Sequence, residues 1–182
     1  MTRSLHFARL AMALAAATAI DACAPVRVRS YVPRGVRFAH YRTYAWSAAT
    51  PHATGDPRLD ANPFFDERIR SGADRELAAR GFERASARPD LLLHYHASVT
   101  QKLDVGAADT QYGYGNTYPG ASTYAAGTIL LDLVDARTNT LVWRAWAEGS
   151  LEGVIDDQDW LDERIDVAIA RIAATLPDRL QR

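Results

Sequence analysis

The stretch DLLLHYHASVTQKL, residues 90–103, decides the fold. Every second residue from Leu91 to Val99 is apolar, whereas the alternate positions are mostly polar and include His94 and His96. Side chains alternate between the two faces of a β-strand, so this pattern predicts a long strand with one buried face and one largely polar face.

Shorter segments on either side of this strand complete the predicted sheet. Alternating or β-prone residues indicate further strands at 26–32, 41–46, 127–135 and 141–151. The last two are joined by a polar turn, which is typical of a β-hairpin.

Two amphipathic helices are predicted, over 62–80 and 157–176. The first begins with Asn62 as its cap and Pro63 in its first turn, and it ends before Gly81. Each helix presents one apolar stripe to the sheet. The stripe residues are Phe65, Ile69, Ala73 and Leu77 in the first helix, and Leu161, Ile165, Ala168, Ile169, Ile172 and Leu176 in the second.

The order of these elements, β-β-α-β-β-β-α, indicates an α+β fold. We expect a mostly antiparallel sheet of about five strands, joined by hairpins rather than crossovers, with both helices packed on one face. The other face is left partly polar and open. Residues 23–182 form a single domain in this interpretation, with 23–37 as tether and first strand, 47–61 as a loop, and 104–126 as a long loop rich in tyrosine and glycine.

The composition argues against several classes of function. The 182 residues carry a formal net charge of −1, and Lys102 is the single lysine, so nothing indicates a nucleic-acid partner. With one cysteine, Cys23, the chain cannot form an intramolecular disulfide. The sequence has no Ser-His-Asp order, no Cys-His pair and no glycine-rich phosphate loop. We therefore expect neither an enzyme nor a cofactor.

The N-terminus is typical of a secretory signal peptide covering residues 1–22. Arg3 and Arg9 give it a positively charged start, and residues 10–20 form an uncharged apolar run of eleven residues. That run is far shorter than the ~20 residues of a membrane-spanning helix. We expect cleavage rather than a retained transmembrane anchor.

Two cleavage sites compete around the cysteine. The segment IDAC, residues 20–23, is similar to the bacterial lipobox, in which the chain is cut before the cysteine and the thiol then carries a diacylglyceryl group. Asp21 departs from that pattern, where this position is usually small or apolar. Alternatively, an ordinary signal peptidase cuts after Ala24, but this leaves Pro25 at the new N-terminus, and a tertiary amide is a poor scissile bond. We favour lipid attachment at Cys23.

Five arginines and no acid lie between residues 26 and 42. Beside an acylated terminus, such a segment suits contact with anionic headgroups. The segment VRVRSYV, residues 26–32, also alternates, and the arginines fit the solvent face of a first strand and its loop equally well. They are Arg27, Arg29, Arg34, Arg37 and Arg42.

His94 and His96 project from the same face of their strand, because they lie two residues apart. Two imidazoles at this spacing can share a zinc or copper ion. A third ligand is needed, and Asp132 or Glu148 on a neighbouring strand is the candidate. The alternative, which we favour, is that both histidines are ordinary polar residues of the solvated face.

Aromatic residues are the candidates for partner contact. Tyr112, Tyr114 and Tyr118 are interspersed with glycine in the long loop and suit contact with a protein or a cell-wall glycan, unless the loop is only a hairpin connection. The same loop lacks the cations that nucleic-acid binding requires. Trp143 and Trp146 fall on opposite faces of one strand, so Trp146 is expected on the open face as a partner anchor.

Several segments together carry a family resemblance. They are FAHYRTYAW (38–46), NPFFDERIRSGADRELAARGF (62–82), PDLLLHYH (89–96), GTILLDLVDARTNTLVWRAWAEG (127–149) and ERIDVAIARIAATLP (163–177). In this order they resemble the bacterial lipoproteins of the family called domain of unknown function 4136. The resemblance covers most of the chain after the signal peptide. It implies an N-terminal lipid anchor and an envelope location, and it implies no reaction and no catalytic residue.

We therefore expect a lipid-anchored, non-enzymatic protein of the bacterial cell envelope. Ala24 stands where bacterial lipoproteins retained in the inner membrane carry aspartate, so the outer membrane, facing the periplasm, is the expected location. The alternative is a soluble periplasmic protein, if Asp21 prevents lipid attachment. The expected partners are the membrane, through the lipid, and another envelope protein or a cell-wall glycan.

Overall fold

A computed structural model describes residues 26–48, 52–103 and 123–177 of the chain. Three predictions lie outside these residues and stay predictions. They are the signal peptide, lipid attachment at Cys23, and partner contact through Tyr112, Tyr114 and Tyr118.

The described chain contains six strands and three helices. The strands are β1 Arg27–Tyr31, β2 Thr43–Trp46, β3 Glu83–Arg84, β4 Leu91–Leu103, β5 Thr123–Asp135 and β6 Thr140–Ser150. The helices are α1 Pro57–Asp60, α2 Phe65–Ala79 and α3 Gln158–Ala173. A 3₁₀ turn, Phe38–His40, lies between β1 and β2.

All six strands form one sheet in the order β1-β6-β5-β4-β2-β3. The α+β class and the mostly antiparallel sheet are confirmed, with two corrections: the sheet has six strands rather than about five, and not every connection is a hairpin. β2 runs parallel to both β3 and β4, because α1 and α2 return the chain to the end of the sheet where β2 began. β3 has two residues, too few to produce a periodic sequence signal.

Helices α2 and α3 pack on the same face of the sheet, as predicted. Leu91, Leu93 and Leu133 on that face are fully buried, and they meet Ile69 from α2 and Ile169 from α3 in one core. Every predicted stripe residue of both helices is buried, except Leu176, which lies after the end of α3 and packs against the core from a half-buried position. The spacing of apolar residues along the sequence therefore predicted which residues form the core.

Helix α2 differs from the predicted helix over residues 62–80 mainly at its N-terminal end. The helix begins at Phe65, and the Asn62 side chain accepts a hydrogen bond from the Phe64 amide at 2.9 Å, so Asn62 caps the preceding turn. At the other end, Gly81 has φ +77° and the Phe82 amide bonds to the Leu77 carbonyl at 3.0 Å. This is the expected glycine-terminated helix end.

Two predicted loops also contain regular structure. The segment 47–61 contains α1, which is capped by Asp56 through its bond to the Arg58 amide at 2.9 Å. The predicted loop 104–126 is shorter at its C-terminal side, because β5 begins at Thr123. Helix α1 and the first four residues of β5 were missed because their sequences lack an apolar period, whereas the rest of β5 was predicted.

Candidate functional site

The face of the sheet opposite α2 and α3 carries the predicted histidines and tryptophan. His96 lies opposite Leu130, and Leu130 lies opposite Trp146, so these three residues form one row across β4, β5 and β6. Trp143 points to the other face and is buried under the helices. No helix among the described residues covers the histidine face.

Both carboxylates that were predicted as a third metal ligand form ion pairs instead. Asp132 lies directly opposite His94, but its carboxylate accepts two hydrogen bonds from Arg144, at 2.7 and 2.6 Å. Glu148, the other candidate, forms an ion pair with Lys102. Within the described ranges, no group of three His, Cys, Asp or Glu residues is arranged to hold a metal ion. Both carboxylates therefore serve cross-strand ion pairs.

Acidification from about pH 7.5 to about pH 5 is expected to destabilise the fold through His94. Burial lowers the pKa of His94 below its ordinary value of 6.5; Asp132 opposes this effect and His96 adds to it. His94 therefore binds a proton more readily in the unfolded chain than in the folded one. The stability that neutral His94 contributes is complete above the unfolded pKa, and it is lost as the pH falls through the lower folded pKa. Urea unfolding at several pH values measures the free energy of unfolding at each pH. This free energy should change less steeply with pH in His94→Gln than in the wild type. The same pH dependence of the unfolding free energy in both proteins would contradict the role of His94 in acid destabilisation.

A cleft lies at the edge of β4 beyond the end of β2. It has a volume of about 590 Å³ and is bordered by the segment around His52 and by the first turns of α2. Inside it, the Tyr95 hydroxyl donates to Asp66 at 2.5 Å, and Arg70 donates to the same carboxylate at 2.8 and 3.0 Å. The His52 ring, which lines the cleft, lies 6.1 Å from the His96 ring.

The polar network continues along α2 toward β2. Asp74 accepts hydrogen bonds from the Tyr44 hydroxyl at 2.7 Å and from the Trp46 indole at 2.8 Å. Arg70 lies over the Trp46 ring at 4.6 Å from its centroid, which is cation–π geometry. Burial, followed by the bond to Asp74, raises the pKa of Tyr44 far above its usual range, so the hydroxyl remains a donor.

This network was not foreseen from the sequence, although one signal was available. Asp66, Arg70 and Asp74 recur at intervals of four residues and therefore share a face of α2. Their aromatic partners come from β2 and β4, which are distant in the sequence. Each carboxylate of the network already accepts two or more bonds, so the arrangement ties the helix to the sheet.

Within the three described ranges, no helix combines the length and the apolar character needed to cross a membrane.

Comparison with known proteins places the chain in a family. The family model described as "Domain of unknown function (DUF4136)" matches residues 28–177, which is nearly all of the described fold. The chain belongs to the DUF4136 family. No curated protein sequence matches it significantly.

Solved structures similar to this DUF4136 chain support the fold. A PDZ domain protein from Parabacteroides distasonis is 18% identical with a TM-score of 0.56; the match covers 95% of this chain but 40% of that protein. A DUF4136 family protein from Bacteroides thetaiotaomicron is 13% identical with a TM-score of 0.50, and the match covers 80% of this chain and 95% of that one. At such identities the similarity extends to the fold alone.

Proposed function

We propose that this DUF4136 chain is a lipid-anchored, non-enzymatic binding protein of the bacterial cell envelope, facing the periplasm from the outer membrane. The lipid on Cys23 is its attachment to the membrane. The family has no assigned activity, so the proposal rests on the chain's own sequence and geometry.

The observation that best supports the proposal is the short stretch of chain between Cys23 and the folded domain. Val26 is already buried against the core, and its carbonyl accepts a hydrogen bond from Arg171 on α3 at 3.0 Å. Three residues of extended chain reach at most about 10 Å. A lipid on Cys23 would therefore hold the domain at the bilayer surface, with the end of the sheet that carries Val26 nearest the membrane.

The pairing of the polar groups supports a binding role rather than catalysis. Asp66 and Asp74 already accept hydrogen bonds from tyrosine, tryptophan or arginine side chains. A general base needs a carboxylate that can reach a substrate proton. The contact surface that we assign is the uncovered sheet face. There Trp146 lies between Leu130 and Arg29, and tryptophan and arginine are enriched at binding hot spots.

Replacing Cys23 is expected to abolish lipid labelling. Cells expressing the wild-type chain should incorporate radioactive palmitate into it and retain it in the membrane fraction. The thiol is the attachment atom, so Cys23→Ala should carry no label. Cys23→Ser keeps the size and polarity of the side chain and should be equally unlabelled. An unlabelled wild-type protein in the soluble periplasmic fraction would overturn the lipid anchor and indicate that Asp21 prevents processing.

A further inference from the structure

A second large cavity lies at the other end of the sheet, where β5 turns into β6. Its volume is about 500 Å³, and it lies between this turn and the segment that follows β1. Its polar lining consists of arginine, histidine, tyrosine and threonine side chains, with one acid. These residues are Arg34, Arg37, His40, Tyr41, Asp135, Arg137, Thr138 and Thr140.

Three arginines line this cavity. Arg34, Arg37 and Arg137 are exposed, and none of them forms an ion pair with a residue that the structure describes. By contrast, the arginines of α2 have acidic partners, for example Arg68 with Asp166 at 2.6 Å. Three arginines without an ion pair among the described residues therefore lie around one cavity. Arg27, Arg29, Arg42 and Arg88 also have none there and do not line it.

The single acid among the described lining residues is already engaged. Asp135 accepts the amides of Arg137 and Thr138, at 2.9 and 2.8 Å, and the Tyr41 hydroxyl at 3.1 Å. The Thr138 amide is the largest of the causes that hold the pKa of Asp135 below its ordinary value. Asp135 thus fixes the turn. The lining side chains carry three positive charges against one negative charge, and the Asp90 carboxylate lies just outside the lining, close to Tyr41 and Asp135.

We propose that this cavity binds a phosphate group. Guanidinium groups donate pairs of hydrogen bonds that match the geometry of phosphate oxygens. The Thr138 and Thr140 hydroxyls already bond to Asp135 and to the Thr138 carbonyl, so the three arginines supply the donors. A phosphate monoester carries about −1.5 to −2 charges at neutral pH, which matches the excess positive charge better than a single carboxylate does. The ligand that fits best is a soluble phosphorylated compound. A phospholipid headgroup shares this chemistry, but the cavity lies at the end of the sheet opposite Val26, away from the membrane that the proposed lipid would enter.

Calorimetric titration of the detergent-solubilised full chain with inorganic pyrophosphate tests the site. Arg37→Gln and Arg137→Gln are each expected to weaken binding about tenfold or more, since each removes a charge-assisted contact. The matched control is Arg88→Gln. Arg88 is also exposed, and it lies near the same end of the sheet just before β4, but it does not line the cavity. Arg88→Gln should bind pyrophosphate as the wild type does.

A second arm separates the two sources of phosphate. Vesicles of phosphatidylglycerol and of phosphatidylcholine are mixed with the wild type and the same variants. Binding to phosphatidylglycerol that pyrophosphate displaces and Arg37→Gln weakens assigns the site to a headgroup; pyrophosphate binding without vesicle binding assigns it to a soluble ligand. Absence of saturable binding in both arms, or an equal loss in Arg88→Gln, would overturn the site. None of these assays involves Cys23, so the lipid anchor stands or falls separately.

Discussion

Replacing Asp74 by alanine is expected to lower the free energy of unfolding by about 2–5 kcal/mol. Tyr44 is 2% exposed, and both its hydroxyl and the Trp46 indole would lose their acceptor. A buried donor left without a partner loses its hydration with no compensating bond, which costs about 1–3 kcal/mol for Tyr44. Loss of the bond from the half-buried Trp46 indole adds about 0.5–1.5 kcal/mol. Urea unfolding followed by tryptophan fluorescence measures the effect.

Two variants separate this network from general effects on the helix. Glu67→Ala removes an exposed acid from the first turn of α2, and it should cost under about 1 kcal/mol. Asp74→Asn keeps an oxygen that can accept the same two bonds, so it should cost clearly less than Asp74→Ala. Equal losses in Asp74→Ala and Glu67→Ala would show that the Tyr44 and Trp46 bonds do not stabilise the fold.

Truncating Leu133 to alanine is expected to cost about 2–5 kcal/mol of stability. Leu133 is completely buried between β5 and the helices, and the packed core cannot fully close over the lost atoms. The cost combines lost apolar burial with the cavity left behind. The midpoint of urea unfolding should fall while the slope of the transition stays unchanged, because the surface exposed on unfolding is nearly the same.

Leu130 provides the matched control, because it has the same side chain in the same strand but points to the opposite face. It is only half-buried, so Leu130→Ala should cost under about 1.5 kcal/mol. A cost for Leu130→Ala as large as that for Leu133→Ala would mean that something covers the histidine face. The assignment of that face to partner contact would then fail.

The predictable part of the fold is the part that burial imposes on the sequence. A strand packed on one side must alternate, and a helix packed on one side must repeat every three to four residues. The sequence of β4 therefore predicted which side holds Leu91 and Leu93, and the stripe from Phe65 to Leu77 predicted the orientation of α2. Gly81 marked the end of that helix because few other residues adopt φ +77° without strain.

The rest depends on which strands become neighbours, and no local pattern specifies that. β2 pairs with β4 instead of its sequence neighbour β1, which brings Trp46 beside Tyr95, with ring centroids 6.1 Å apart. The unknown order of the strands also affected the prediction of the metal ligands. Asp132 does lie opposite His94, but the next strand supplies Arg144 to the same carboxylate. Only the register across three strands reveals that competition.

The position of β1 in the sheet has a consequence for the order of folding. β1 is the first strand in the chain, yet it pairs with β6, whose residues follow about 120 positions later. A chain that crosses a membrane N-terminus first therefore delivers β1 long before its partner. The β5–β6 hairpin closes a short loop, while docking of β1 closes a loop that contains every strand and helix except α3. By this loop-closure argument β1 is expected to be fixed after the hairpin. If Cys23 is acylated as we propose, the enzymes that cut and acylate the chain would meet the neighbouring strand before the sheet is complete.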